Sequence, residues 1–200
     1  MDLKKRIIQE SLKLFSLKGF LSTSIHDILI GAGTSKGGLY KHFKSKEELF
    51  LAVLSEARKI WREKNLEGLD SIDKPVEKVK TLLKNYRDRY LKDVGDFPGG
   101  CIFVTLSVEL DDQRPHLSRE INKGFEGFKT MLKRLLDQAK ASGELRPDVN
   151  TEAVTEMIFV GMLGASVLYG TEKSETGLNR SIDALIQFLE SLKPEIEPFH

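Results

Sequence analysis

The sequence predicts an all-α protein of about nine helices. Through most of the chain, apolar residues recur at three- and four-residue steps, the spacing that places them along one face of a helix. Glycine and proline separate these stretches, and residues that cap helix N-termini stand directly after several of the breaks. Each helix is justified below in chain order.

The first two helices are bounded by glycines and by a capping pair. Apolar residues at helical spacing begin at Leu3 and stop at Gly19, which is typical of the residue that follows a helix end. Ser24 stands three residues before Asp27, the spacing of a capping box. A helix of about seven residues is therefore predicted between this pair and Gly31.

The third helix is short and leads into a longer fourth. Lys36–His42 can form a helix with Thr34 or Ser35 as its N-cap. Ser45 and Glu48 form a second capping-box pattern, which opens the fourth helix. Two short helices that are joined by a glycine-containing turn and follow a longer helix are typical of a helix-turn-helix.

Five further helices are predicted after the break at residues 68–75, and they cover approximately residues 75–92, 101–110, 117–142, 151–170 and 178–192. The β-branched residues of the 101–110 segment would also suit a strand. We favour a helix there, because helices flank the segment and no partner strand is predicted.

The bulk composition excludes several classes of protein. With 40% hydrophobic and 30% charged residues, the chain resembles an ordinary soluble globular protein. Its single cysteine excludes an intramolecular disulfide and a multi-cysteine zinc site. Because we find no signal-peptide pattern and no run of about 18 apolar residues, we expect a cytoplasmic protein without a membrane partner.

The charge is unevenly distributed along the chain. Residues 1–64 contain 13 Lys and Arg against 7 Asp and Glu, a net charge of +6, and the remainder contains 18 against 23, a net charge of −5. Such asymmetry indicates that the N-terminal region binds an anionic partner. Chance clustering of solvated charges is the alternative.

The stretch "TSKGGLYKHFKSKEEL" is built unlike a core helix. Gly37 and Gly38 stand inside the helix, where each glycine costs about 1 kcal/mol relative to alanine. Bare backbone allows close approach to DNA, and the surrounding lysines can meet phosphates. Leu39 and Phe43 are spaced to point inward. The alternative is a flexible glycine turn with solvated lysines.

The longer segment "TSIHDILIGAGTSKGGLYKHFKSKEELFLAVL" resembles the N-terminal domain of the tetracycline-repressor (TetR) family of transcriptional regulators. The resemblance covers about the first 60 residues. It implies a helix-turn-helix DNA-binding domain over 1–62 and a helical ligand-binding and dimerisation domain over 63–200. It further implies a homodimeric repressor on a pseudo-palindromic operator in double-stranded DNA, released by a small-molecule effector.

The resemblance also assigns DNA contacts in this chain. It implies backbone contacts from Thr23, Ser35, Lys36, Tyr40, His42 and Lys46. It implies that Gly37 and Lys41 face the bases, with Tyr40 in a second role there. Relatives often carry another aromatic residue where Lys41 stands. The base preference of relatives therefore does not transfer to this chain.

The uncharged run Met157–Gly170 is apolar on all sides and needs burial on all sides. Together with the last helix it fits the four-helix dimer interface of the family, formed by Met157, Val160, Gly161, Gly164, Ala165, Leu168, Ile182, Leu185, Ile186 and Leu189. A helix buried within its own chain is the alternative. The run itself is too short to span a bilayer.

Aromatic residues and the lone cysteine are candidates for an effector pocket, which would be lined by Trp61, Tyr86, Tyr90, Phe97, Cys101, Phe103, Phe125 and Phe128. Such a lining favours an apolar or aromatic effector, and ordinary core packing is the alternative. The Gly-Gly-Cys entry to the sixth helix resembles a branch of the family whose members sense electrophiles or oxidants. For Cys101 the alternative is a buried small apolar residue.

Other classes of function find little support in the sequence. His26, His42, His116 and His200 form no zinc-binding or catalytic pattern, and no phosphate-binding loop occurs. We therefore expect no enzyme, no catalytic residues, no metal and no cofactor. A helical interaction module for anionic surfaces is the remaining rival from another class.

Overall fold

The structure, a computed structural model, describes residues 2–195. Within this range it contains no strand and nine α-helices, which are α1 Leu3–Lys18, α2 Ile25–Gly31, α3 Lys36–Tyr40, α4 Lys46–Asn65, α5 Pro75–Asn85, α6 Ile102–Leu110, α7 Pro115–Ala141, α8 Thr151–Glu172 and α9 Glu175–Ser191. A 3₁₀ turn spans Leu69–Ser71 and a π-helical turn spans Tyr86–Leu91. The prediction of an all-α fold is confirmed, and His200 lies outside the described residues.

The predicted capping residues define the ends of the short helices. The amide of Asp27 donates to Ser24 Oγ at 3.1 Å, and the amide of Ser24 donates to Asp27 Oδ2 at 2.8 Å. Ser35 caps α3. The amide of Glu48 donates to Ser45 Oγ at 3.0 Å where α4 begins. These local contacts satisfy amides that lack helical acceptors, which explains why α2 to α4 begin where they do.

Three boundaries differ from the predicted ones. The third helix ends at Tyr40 instead of His42. The predicted helix over 75–92 is α-helical only to Asn85, after which its backbone widens into the π-helical turn. The 101–110 segment is helical, and Cys101 is the N-cap of α6, one residue before its first turn. Burial of Ile102, Leu106 and Leu110 outweighs the strand preference of their β-branched neighbours.

The described chain forms two compact units. The first comprises residues 2–63 and 90–124, and the second comprises residues 64–89 and 125–195. The segment 90–124 joins the first unit because α6 packs against α1. This structural division does not follow the sequence boundary between residues 62 and 63. The functional division into 1–62 and 63–200 stays a prediction.

The core of the first unit pins α3 in place. Phe20 packs edge-on against Phe15 and Phe50, with ring centroids 5.5 and 5.1 Å apart. Leu39 and Phe43 are buried, so the inward face predicted for the third helix is confirmed. Burying the apolar face of α3 fixes which of its residues point to solvent.

The second unit is held by the packing of α8 on α9 and by ion pairs between α5 and α9. Lys80 Nζ lies 2.6 Å from Glu190 Oε1 and 2.9 Å from Glu77 Oε1. These carboxylates raise the pKa of Lys80, because their hydrogen bonds stabilise the ammonium.

Candidate nucleic-acid interface

The face of α3 opposite the core carries exposed basic side chains and an exposed glycine. Lys36, Gly37, Tyr40 and Lys41 are exposed, and Lys44 is exposed just beyond the helix. None of these three lysines forms an ion pair with another described residue. Cations without an acidic neighbour are available to neutralise phosphates.

The two glycines of α3 have different roles. A Cβ on Gly38 would collide with Thr34 Oγ1 and lie 3.6 Å from Leu3 Cδ2, so a side chain at that position requires the Thr34 side chain to move. A Cβ on Gly37 would meet only Ser35 Oγ, at 3.8 Å, which is ordinary contact. The fold therefore does not require the missing side chain at Gly37. The predicted close approach of DNA at Gly37 would account for it and stays a prediction.

Two of the predicted DNA contacts, Thr23 and Lys46, have side chains that bond within the chain. Thr23 is fully buried, and its hydroxyl donates to the carbonyl of Gly19 at 2.6 Å, so it holds the turn between α1 and α2. Lys46 Nζ donates to the carbonyl of Phe20 at 2.5 Å and lies 4.3 Å from the centre of the Phe20 ring. Thr23 is withdrawn from solvent, and the half-buried Lys46 has its ammonium bound to a backbone carbonyl of the chain.

The environment of Lys46 explains its changed role. Burial lowers the pKa of Lys46, because desolvation disfavours the ammonium, and the nearby carboxylate of Glu109 opposes this effect. An ammonium in this position acts as an internal cross-link. Sequence spacing could not distinguish it from the freely exposed Lys44.

Ser35 and His42 stay candidates with restricted roles. Ser35 is exposed, but its Oγ already accepts the amide of Gly38 at 3.2 Å. The ring of His42 is half-buried and lies 6.5 Å from that of Phe43.

Sequence reasoning missed Lys4 and Lys5. Both are exposed at the start of α1, and Lys4 Nζ lies 5.7 Å from the Phe43 ring that anchors α3. Both lysines contribute to the excess of positive charge over residues 1–64, and this excess is the sequence signal that points to them.

Two family profiles match the chain. Residues 7–53 match the profile described as bacterial regulatory proteins, tetR family. Residues 75–185, more than half of the chain, match the profile described as tetracyclin repressor-like, C-terminal domain. The chain belongs to the TetR family.

Individual relatives agree with this assignment. A helix-turn-helix transcriptional regulator from Lactococcus lactis is 35% identical over 119 residues, which cover 58% of this chain and 61% of that protein. The crystal structure of a TetR transcriptional regulator from Chloroflexus aurantiacus superposes with a TM-score of 0.87 at 28% identity and covers 94% of this chain and 93% of that one. A TetR-fold structure of AibR in complex with isovaleryl coenzyme A and operator DNA has a TM-score of 0.73 at 18% identity, covering 97% of this chain and 100% of that one. The protein is accordingly a DNA-binding transcriptional regulator and not an enzyme.

An apolar stripe runs along α8 of this TetR-family protein. Met157, Val160, Val167 and Leu168 are each about half exposed or more, and exposed Gly164 lies between them. Positions 157, 160, 164 and 167 follow each other at three- and four-residue steps, so they share one face of the helix. A contiguous exposed apolar stripe marks a site of interaction.

The other residues predicted for the dimer interface are mostly covered within the chain, and the interface itself stays a prediction. Ala165, Ile182, Leu185 and Leu189 are buried within the chain, and a Cβ on Gly161 would lie 2.6 Å from Leu185 Cδ2. These residues form the contact between α8 and α9 of one chain. Ile186 is half-buried. An amphipathic pattern shows which residues avoid water, but it does not show which neighbour covers them.

The full α8 is longer than its uncharged run. Its 22 residues make it the one described helix long and apolar enough to cross a membrane by length and composition. The sequence expectation that this segment is too short applies only to the run and not to the helix. The chain belongs to a family of DNA-binding regulators, and the exposed apolar residues of α8 lie along a stripe. Both observations fit a helix that packs against protein.

The predicted pocket residues divide between the two units. Trp61, Tyr90, Phe97, Cys101 and Phe103 belong to the first, while Tyr86, Phe125 and Phe128 belong to the second. In the second unit, Phe159 joins Phe125 and Phe128, at 5.3 and 6.0 Å between ring centroids. Phe159 was missed because it lies in the run predicted for the dimer interface. The pocket itself stays a prediction.

Cys101 is buried at the entry to α6. The hydroxyl of Tyr90 donates to its Sγ at 3.4 Å, and the Tyr90 ring lies 5.3 Å from that of Phe97. An aromatic, buried surrounding favours a thiol that behaves as a small apolar group.

Proposed function

We propose that this protein is a cytoplasmic, effector-responsive repressor that binds a pseudo-palindromic operator as a homodimer. The observation that carries the proposal is that residues 2–195 present an exposed basic helix, α3, within a helix-turn-helix and an exposed apolar stripe on α8. A single helix-turn-helix reads one half-site, so tight binding to a defined sequence requires a second copy. The α8 stripe offers the self-complementary surface that a twofold dimer needs.

The relatives support the effector part of the proposal. The structure of AibR contains both isovaleryl coenzyme A and operator DNA, so the shared fold can accommodate a small molecule and an operator. In this chain, the aromatic residues of the C-terminal region favour an apolar or aromatic effector. An effector shifts the equilibrium only through different affinities for the DNA-binding and released conformations. Release by a factor of 100 corresponds to about 2.7 kcal/mol of coupling per dimer.

The decisive experiment selects duplexes from a random-sequence library with the purified protein. We expect inverted half-sites whose centres lie about 34–36 Å apart, one helical turn of DNA, or a multiple of that spacing. Selection of single half-sites would contradict the dimer. Binding to anionic vesicles without any enrichment of sequence would instead support an interaction module for anionic surfaces.

We expect a moderate dependence of operator affinity on salt. Lys36 and Lys44 of two subunits give about four phosphate contacts and a log–log slope of about −4. Lys44→Ala should reduce the magnitude of the slope by about 2, one contact in each subunit. Lys46→Ala should leave the slope nearly unchanged and lower the thermal stability, because its ammonium is bound to the carbonyl of Phe20. A binding titration in a salt series measures both, and a slope that flattens in Lys46→Ala would contradict the internal role.

Cys101→Ser separates two routes of induction. If an apolar effector acts by binding alone, the variant should bind the operator and release it as the wild type does, with a small packing defect. If alkylation of the thiol is the signal, the variant should bind the operator and ignore N-ethylmaleimide. We expect the first result, because Cys101 is buried beside Tyr90. Wild-type protein that releases its operator in step with alkylation, followed by mass spectrometry, would establish the second route.

A further inference from the structure

The turn between α1 and α2 is held by a side chain that comes from a distant part of the sequence. The amide of Phe20 donates to Glu109 Oε2 at 2.6 Å, and the amide of Leu21 donates to Glu109 Oε1 at 2.9 Å. Glu109 is half-buried near the end of α6. One carboxylate therefore accepts two successive backbone amides, one with each oxygen.

This arrangement satisfies donors that the local backbone leaves free. Phe20 and Leu21 follow the end of α1, where the chain no longer offers helical acceptors to their amides. A carboxylate gives these amides charge-assisted hydrogen bonds, which are stronger than bonds between neutral groups. Removing the carboxylate would leave the partly buried amides without an acceptor from the protein.

Phe20 is fixed from its other side as well. Its carbonyl accepts Lys46 Nζ at the start of α4, and its ring packs between Phe15 and Phe50. The chain then passes through buried Thr23 into the cap of α2. The position of this turn consequently sets where α2 begins, and α3 follows α2 after only four residues.

A second contact ties α6 to α1 at the opposite end of the helix. The amide of Gly99, just before α6, donates to Ser16 Oγ at 2.9 Å. A Cβ on Gly99 would overlap the carbonyl of Ser16, so the two backbones lie against each other. Displacement of α6 therefore acts directly on the C-terminal part of α1 and the turn that follows it.

We propose that Glu109 is a positioning residue for DNA binding. Its two hydrogen bonds keep the turn after α1 in the placement from which α2 and α3 meet DNA. The inference rests on the operator binding proposed above.

The test compares Glu109→Ala and Glu109→Gln with a matched variant, Glu144→Ala. Glu144 also accepts a distant backbone amide, that of Val76 at 3.3 Å, but it lies in the second unit. The probe is a duplex selected with the wild-type protein. We expect Glu109→Ala to weaken binding to this duplex about tenfold or more. The affinity of Glu109→Gln should lie between those of Glu109→Ala and the wild type, because the side-chain carbonyl of glutamine can still accept a hydrogen bond. Glu144→Ala should stay within about twofold of wild type even if it melts at a lower temperature.

Hydrogen exchange and a double-mutant cycle separate positioning from general stability. The amides of Phe20 and Leu21 should exchange faster in Glu109→Ala, while those in α8 stay protected. Gly99→Ala, which forces α6 away from α1, should weaken DNA binding in the wild-type background. In the Glu109→Ala background it should weaken binding much less, because the connection is already lost.

The outcomes distinguish this inference from the proposed function. A wild-type protein that enriches no duplex would overturn the proposed function, and with it the DNA-binding role of Glu109. A wild-type protein that binds its duplex while Glu109→Ala binds it equally well would overturn the inference alone. Equal losses of affinity in Glu109→Ala and Glu144→Ala, or additive effects of Gly99→Ala and Glu109→Ala, would also overturn it.

Discussion

Val160→Glu is expected to convert the protein into a monomer that no longer holds its operator tightly. Val160 is 61% exposed in the single chain, so the substitution should leave the folded chain intact. In the proposed dimer, each copy would bury an uncompensated carboxylate in the apolar α8 stripe. Such a charge costs about 3–5 kcal/mol, enough to weaken association by a factor of about 100 or more.

Loss of the dimer should also remove most of the affinity for DNA. Two recognition helices on one particle reinforce each other by a factor of about 100 or more, and a monomer loses this gain. Light scattering at micromolar concentration measures the mass, and a shift assay with the selected duplex measures binding. Val94→Glu is the control, because Val94 has a similar exposure of 59% and lies outside α8. A dimeric Val160→Glu protein would show that another surface joins the subunits.

Much of the DNA-binding region could be predicted because its signals are local. The capping box of Ser24 with Asp27 and the cap at Ser35 involve residues within three positions of each other, and both are present in the structure. The inward direction of Leu39 and Phe43 follows from helical spacing alone. Short-range hydrogen bonds and periodicity are the information that a sequence displays directly.

Contacts made across the fold could not be predicted. Lys46 is a lysine next to the recognition segment, as a phosphate contact would be, and the sequence does not show that its ammonium binds a carbonyl 26 residues away in the chain. Glu109 attracted no notice, because nothing near it in the sequence reveals that it accepts the amides of Phe20 and Leu21. The sequence does not show which residues of α8 contact α9 and which stay available to a second subunit. That division depends on where side chains such as Leu185 pack.

Gly37→Ala is expected to produce a protein that is slightly more stable and binds DNA much less well. An alanine at this exposed position meets only Ser35 Oγ at 3.8 Å, so it should fit the fold. Replacing a helical glycine with alanine gains about 0.5–1 kcal/mol of unfolding free energy. If α3 lies in the major groove, the added methyl group keeps the backbone from the base edges.

The size of the expected loss follows from the contacts at stake. A good base contact contributes about 1–3 kcal/mol of discrimination, and a dimer would lose one in each subunit. Operator affinity should therefore fall about 30-fold or more.

Gly127→Ala is the matched control, because Gly127 is an exposed glycine of α7 with nothing within 4 Å of the added Cβ. It should gain similar stability and keep its affinity. Thermal unfolding and a binding titration on both variants provide the comparison. A Gly37→Ala protein that binds like Gly127→Ala would show that the glycine does not serve close approach to DNA, since α3 would then tolerate a side chain on the face proposed to meet the bases.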